Sequence, residues 1–295
     1  MTEWINTIVQ GVLLGGLYAI FAAGLSLIFG VMRLVNIAHG DMIVLAAYVA
    51  LVVTTALGIH PVVSIAVVAP LMAALGYALQ RGILNRTLGA DLLPPLLVMF
   101  GMSVIIQNGL LEVFTADSRK LDAGAIEIAS IKLAEGLSIG ILPLLQLVLA
   151  VVLAVVLIAG LQYVFYSTAM GRAFRATSDD PEVAQLMGLD KSHVFAMAMA
   201  MALSMAVVAV AGVLLAVRAN FDPSLGPARL IFGFEAVIIG GLGSMWGTLA
   251  GGIILGLAQT IGAKFDPGWQ LLAGHIAFLV VLAARPEGLF PKVQG

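Results

Sequence analysis

Residues 139–165 read IGILPLLQLVLAVVLAVVLIAGLQYVF, a run without a single charged side chain. A helix needs roughly 20 apolar residues to cross a bilayer, so this run can cross even when tilted. Comparable stretches lie on either side of it, at Ile5–Val31, Met42–Leu57, Pro61–Leu79, Leu92–Phe114, Val194–Val217, 231–261 and Trp269–Ala284. The whole chain is 61% hydrophobic and only 10% charged, against roughly 25% charged in soluble domains. One soluble core could not hide that much apolar surface, whereas lipid accepts it on the outer face. The expectation is an all-α, polytopic transmembrane bundle of about eight or nine segments. Residues 1–295 are read as one such domain, with a cytoplasmic segment at 167–193. Residues 1–10 lack a basic leader, so the first run is read as a retained helix.

Composition also excludes function classes. The net charge of −2 offers no case for a nucleic-acid partner. There are no cysteines, hence no disulfide, thiolate metal site or cysteine nucleophile. The histidines stand at 39, 60, 193 and 275, without the spacing of metal ligands. No Gly-Lys pair occurs, so the chain has no phosphate-binding loop of the nucleotide-hydrolysing kind.

Residues 231–261 are long for one crossing and contain Gly240, Gly241, Gly243 and Gly247. Each glycine weakens a helix by about 1 kcal/mol relative to alanine. The stretch is read as two shorter helices joined by a tight turn facing the protein interior. A continuous, glycine-packed helix is the alternative. Lys and Arg in the loops favour an external N-terminus and a cytoplasmic C-terminus. Arg33, Arg81, Arg86, Arg172, Arg175, Lys191, Arg285 and Lys292 then fall inside, against Arg119, Lys120, Lys132, Arg218, Arg229 and Lys264 outside.

The cytoplasmic stretch 167–193 contains a short helix with start and stop signals. Asp180 suits the N-cap, Pro181 the first turn and Glu182 the helix dipole, and Gly188 suits the left-handed stop. Val183, Ala184, Leu186 and Met187 give it an apolar edge. A helix this short does not persist alone in water, so it must dock, on this chain's own helix ends or on a cytoplasmic protein. An ordinary capped loop is the plainer reading.

Four pieces, in order along the chain, carry a resemblance. They are Asn36-Ile37-Ala38-His39-Gly40; Gly171-Arg172-Ala173-Phe174-Arg175-Ala176 with Asp180, Ala184, Leu186, Gly188 and Asp190; Glu235 with Gly240-Gly241-Leu242-Gly243-Ser244; and Arg285-Pro286-Glu287-Gly288-Leu289-Phe290. Together they resemble the branched-chain amino acid ABC transporter permease family, of the LivH rather than the LivM type. The resemblance implies a type II ABC importer in the bacterial or archaeal inner membrane. It implies a second, LivM-like permease subunit, two ATPase subunits that use ATP and Mg, and a substrate-binding protein. This chain would bind no cofactor and would be no enzyme. Segment 171–190 would be the coupling helix, with Gly171, Arg172, Arg175, Asp180, Pro181, Glu182, Ala184, Leu186 and Gly188 meeting the ATPase. The implied solutes are branched-chain or other amino acids, with urea, amides or small carboxylates as further possibilities.

Ionisable groups at membrane depth are costly and mark cavities or partners. His39 and Asp41 flank Gly40 in the gap between the first two runs. With Asn36 they line a pathway or cap helix ends at the interface; both readings stand. Glu235 either packs helices near the pathway or is an acid at a helix N-terminus near the outer surface. Gly240, Gly241, Gly243 and Ser244 complete the candidate pathway set. His275 is read as a hydrogen-bonded packing residue, and Gln107 and Asn108 as polar but neutral. An ion-driven secondary transporter is the competing function. It could use Glu235 or Asp41 but gives no reason for the capped cytoplasmic helix.

Overall fold

The computed structural model describes residues 2–32, 34–87, 93–134, 137–168 and 190–290. Its first helix, α1 (Thr2–Met32), fixes the direction of the bundle. It is followed by α2 (His39–Leu57), α3 (Pro61–Gly82), α4 (Leu93–Phe114), the one-turn α5 (Ala125–Ile128), the hairpin of β1 (Ser130–Ala134) and β2 (Leu137–Gly140), and α6 (Ile141–Ser167). After the segment outside the described residues come α7 (Asp190–Arg218), α8 (Gly226–Gly240), α9 (Met245–Phe265) and α10 (Trp269–Ala284). Among the described residues, 7 helices are long and apolar enough to cross a membrane. The helices α8 and α10, of 15 and 16 residues, are shorter but apolar and run alongside them. The bundle is the one the apolar runs predict, with the broken stretch counted as two passes.

Small residues set the closest packing. Gly11 and Gly15 on α1 face Gly252 and Gly256 on α9, one turn apart on each helix. A Cβ on Gly15 would lie 2.4 Å from the Ile253 Cα, and one on Gly256 would lie 2.4 Å from the Gly11 carbonyl oxygen. The backbones therefore touch, as expected where helix association in lipid depends on van der Waals contact between small faces. The pairing is antiparallel. Lys264 near the end of α9 reaches Glu3 at 2.6 Å, and Trp4 meets Phe265 edge-on at 6.0 Å.

The end of the bundle that holds Thr2 is sewn together by the connections. Gln10 donates to the Ser138 carbonyl at 2.9 Å. Arg119 and Phe221 exchange both backbone hydrogen bonds, and Leu121 N–H donates to the Ala216 carbonyl. The loop after α4 is thus zipped to the end of α7. Tyr48 stacks on Phe114 and meets Phe221 edge-on beneath it. His60 accepts from Val62 N–H through Nδ1 and donates from Nε2 to the Ala123 carbonyl, tying the start of α3 to the same loop. The Lys120 ammonium beside Glu127 holds that carboxyl below the usual glutamate range.

The opposite end holds two departures from regular helix. One is the turn 241–244 between α8 and α9, where Gly241 and Gly243 have φ of 109° and 78°. The expected break is present, but Gly247 lies inside α9 rather than in the turn. The other is the segment 34–38 before α2.

Candidate translocation site

α2 does not start where α1 stops. Its first residue, His39, donates from Nε2 to the Phe21 carbonyl at 2.8 Å, although α1 continues to Met32. That remainder of α1 is ~16 Å long at 1.5 Å per residue. Residues 34–38 must therefore run back along α1 as non-helical chain before α2 begins within the bundle. Exposed peptide groups are not tolerated at membrane depth unless protein or a cavity surrounds them. Asn36 and Ala38 are accordingly 3% and 0% exposed. A small apolar cavity beside the segment is lined by Ile28, Met32, Asn36, Leu84, Met99 and Met201 among others.

The start of α2 wedges against the start of α8. A Cβ on Gly40 would lie 2.0 Å from the Gly226 carbonyl oxygen, and a Cβ on Gly226 would lie 2.0 Å from Asp41 Oδ1. Only glycine fits on either side. Asp41 is buried, and Ser103 and Gln107 of α4 lie close to its carboxyl group. Gln107 also donates to Ser103 at 3.1 Å. Oδ1 of Asp41, Nδ1 of His39 and Oδ1 of Asn36 have no hydrogen-bond partner. The cap of α2 is Ala38, with no side-chain cap bond, so Asn36, His39 and Asp41 do not cap helix ends at an interface. They are buried polar groups around a helix start inside the bundle.

Glu235 sits elsewhere. The sequence places it a few residues into a helix starting near Ile231, but α8 begins at Gly226, so Glu235 lies mid-helix and buried. It is not an acid at an exposed helix start. His275 on α10 donates from Nδ1 to its Oε1 at 2.5 Å, and Oε2 is unpartnered. The earlier start was hidden by Arg229, which interrupts the apolar run. Pro227 in the first turn was the signal that could have revealed it.

Gly240, Gly241, Gly243 and Ser244 form a third group, at the far end of α8. Ser244 caps α9, its Oγ accepting from Gly247 N–H at 3.1 Å. Gly243 abuts Gly30 of α1. The ending Arg285–Phe290 returns here: Leu289 and Phe290 N–H donate to the carbonyls of Ile239 and Gly240, both at 2.9 Å. Two of the four resemblance segments therefore pack against each other. The coupling residues Gly171, Arg172, Arg175, Asp180, Pro181, Glu182, Ala184, Leu186 and Gly188 lie outside the described residues. Among the described residues no group of three or more His, Asp or Glu could hold a metal ion.

Apolar helices of membrane-spanning length, closed around buried polar groups and a re-entering segment, define a multi-pass membrane protein of the transporter kind. The chain belongs to the family described as branched-chain amino acid transport system / permease component, which matches residues 7–284. It is 27% identical to the high-affinity branched-chain amino acid transport system permease protein BraD of Pseudomonas aeruginosa, over 99% of this chain and 98% of that one. It is likewise 27% identical to the LivH permease protein of Escherichia coli, over 97% and 95%. The fructose import permease protein FrcC of Rhizobium meliloti is 28% identical over 88% of this chain and 71% of its own. No solved structure matches the chain significantly.

Proposed function

We propose that this chain is one translocating subunit of an ATP-driven importer for branched-chain amino acids, in the inner membrane of its cell. The observation that supports this reading most strongly is the end-to-end similarity to BraD and LivH, whose names state that transport. A second permease subunit, two ATPases that bind ATP and Mg, and a solute-binding protein complete the assembly. The Thr2 end of the bundle then faces outward, where the zipped loop receives the binding protein. Residues 167–193 face the ATPase, and the short helix after Pro181 transmits its closure. Asn36, His39, Gly40 and Asp41 lie on or beside the solute path. Glu235 and the turn 240–244 shape the helix hairpin that borders it.

The test uses the purified complex in lipid vesicles, with ATP hydrolysis and leucine uptake measured side by side. ATP should drive uptake, and an imposed proton or sodium gradient without ATP should not. Leu186→Asp buries a carboxylate against an apolar cleft at a cost of several kcal/mol if unpaired, and Gly188→Val penalises the left-handed stop. Both should weaken ATPase binding or separate hydrolysis from uptake. Wild-type coupling in both variants would remove segment 171–190 from this role, and gradient-driven uptake would overturn the ATP-driven reading.

A further inference from the structure

The sequence places Arg218 and Arg229 in external loops, yet both belong to helices and are half-buried. Arg218 ends α7 and Arg229 lies in the first turn of α8. Burying a guanidinium without a counter-charge is expensive, so a chain normally supplies a carboxylate. At the same end of the bundle Arg119, Lys120 and Lys264 do have one, in Asp117, Glu127 and Glu3. None of the ion pairs among the described residues includes Arg218 or Arg229. Arg218 donates to a neutral acceptor, Gln146 Oε1, at 2.7 Å. Arg229 lies over the Phe232 ring at 6.0 Å, and its Nε is buried without a partner. The nearby Asp222 carboxylate accepts from the Ser224 N–H and Oγ instead.

The two arginines act on one place. Both, like the Glu235 carboxylate, are within electrostatic reach of the Tyr18 hydroxyl, which donates to Gln259 Oε1 at 2.6 Å. Tyr18 packs on Phe232 at 5.1 Å, under Arg229. Gln146 and Gln259 are fully buried, and Gln259 Nε2 is left without an acceptor. Five helices thus contribute neutral hydrogen-bonding groups and two positive charges, and the nearest carboxylates, Asp222 beside Arg229 and Glu235 near Tyr18, form no ion pair with either arginine. Guanidinium forks of this kind suit a carboxylate or phosphate oxygen pair.

We propose that Arg218 and Arg229 form a station for the carboxylate of the transported solute, with Gln259 and Tyr18 as its neutral floor. The assignment rests on the transport reading above and deepens it. It makes the solute a carboxylate, such as an α-amino acid, and not a neutral sugar. An anionic lipid headgroup offers the same chemistry, so the test separates the two sources.

The chain has no cysteine, which permits charge removal and chemical restoration at one position. Arg218→Cys and Arg229→Cys are each assembled with partner subunits free of reactive cysteine, in phosphatidylcholine vesicles with and without phosphatidylglycerol. Leucine uptake should fall at least about tenfold in each variant. Aminoethyl methanethiosulfonate, which appends a cation, should restore much of it, and the neutral hydroxyethyl reagent should not. Leucine-loaded binding protein should slow the labelling. Wild-type uptake in both variants overturns the station. So does equal rescue by the neutral reagent, which would mean packing only, or a defect confined to vesicles with anionic lipid, which would mean a headgroup site. A wild-type complex that imports fructose but not leucine defeats the amino-acid reading itself, and is told apart from these by the unmodified protein.

Discussion

The bundle interrupts its helices in two ways, and the contrast separates architecture from chemistry. Between α8 and α9 the chain turns in four residues, 241–244, and the turn is closed by backbone. Ser244 caps the next helix, Leu289 and Phe290 take up the carbonyls of Ile239 and Gly240, and the glycines supply φ values that side chains resist. Before α2 the chain instead climbs back through the bundle and brings Asn36, His39 and Asp41 with it. That break leaves polar atoms unpartnered on all three side chains. A native interior rarely tolerates such a cluster without a function. The first break is a hinge-free corner; the second holds hydrogen-bonding capacity that the resting fold does not use.

The contrast can be broken by substitution, most severely at the α2 start. Gly40→Val should prevent assembly altogether, since its Cβ would fall 2.0 Å from the Gly226 carbonyl. Overpacking against backbone costs ~3 kcal/mol or more. Membrane fractions probed for folded, monodisperse permease would show it, and normal yield would mean that α2 and α8 can separate cheaply.

Asp41→Leu should come next. It leaves Ser103 and Gln107 facing an apolar group, at ~1–3 kcal/mol, and should depress uptake more than stability. Asp41→Asn keeps an acceptor for α4 and should fold like the wild type, which a detergent melting curve checks. Equal uptake by all three proteins would remove Asp41 from the path and make the two breaks alike.

The smallest effect belongs to the corner. Gly243→Ala forces a side chain onto φ of 78° and brings it to 3.0 Å from the Gly30 Cα. The left-handed penalty is about 1–2 kcal/mol. Stability should drop by that amount with uptake per folded complex unchanged. A transport defect in a fully stable Gly243→Ala protein would make the corner a moving part.

Much of this was legible before any coordinates. Apolar runs report which residues seek lipid or core, and each became a helix except 231–261, which became two. Depth was not legible. Nothing in Asn36–Asp41 tells a helix cap at the surface from a helix start inside the bundle, because both need a break and a polar residue. Glu235 and the two half-buried arginines were misplaced for a related reason. A charge in a sequence is taken for a loop, and Arg229 concealed the first turn of α8. The glycines were read as helix breakers at 240–247. Gly252 and Gly256, in the same apolar run, proved to be contact surfaces instead, and periodicity alone does not distinguish the two uses.

The zipped loop gives α7 a mechanical character. This helix of 29 residues begins at Asp190, within the segment 167–193 proposed above to face the ATPase, and ends clasped to the opposite face through Ala216 and Phe221. Midway, the Ser204 hydroxyl is hydrogen-bonded to the Gly24 carbonyl of α1 at 2.8 Å. A rod ~43 Å long, clasped at one tip and wedged along its length, with Gly212 against the Ile43 carbonyl and Met201 against Gly76, can shift only together with α2 and α3. A displacement of the helix along its own axis would therefore reach the loop between α4 and α5 undiminished and in the same direction.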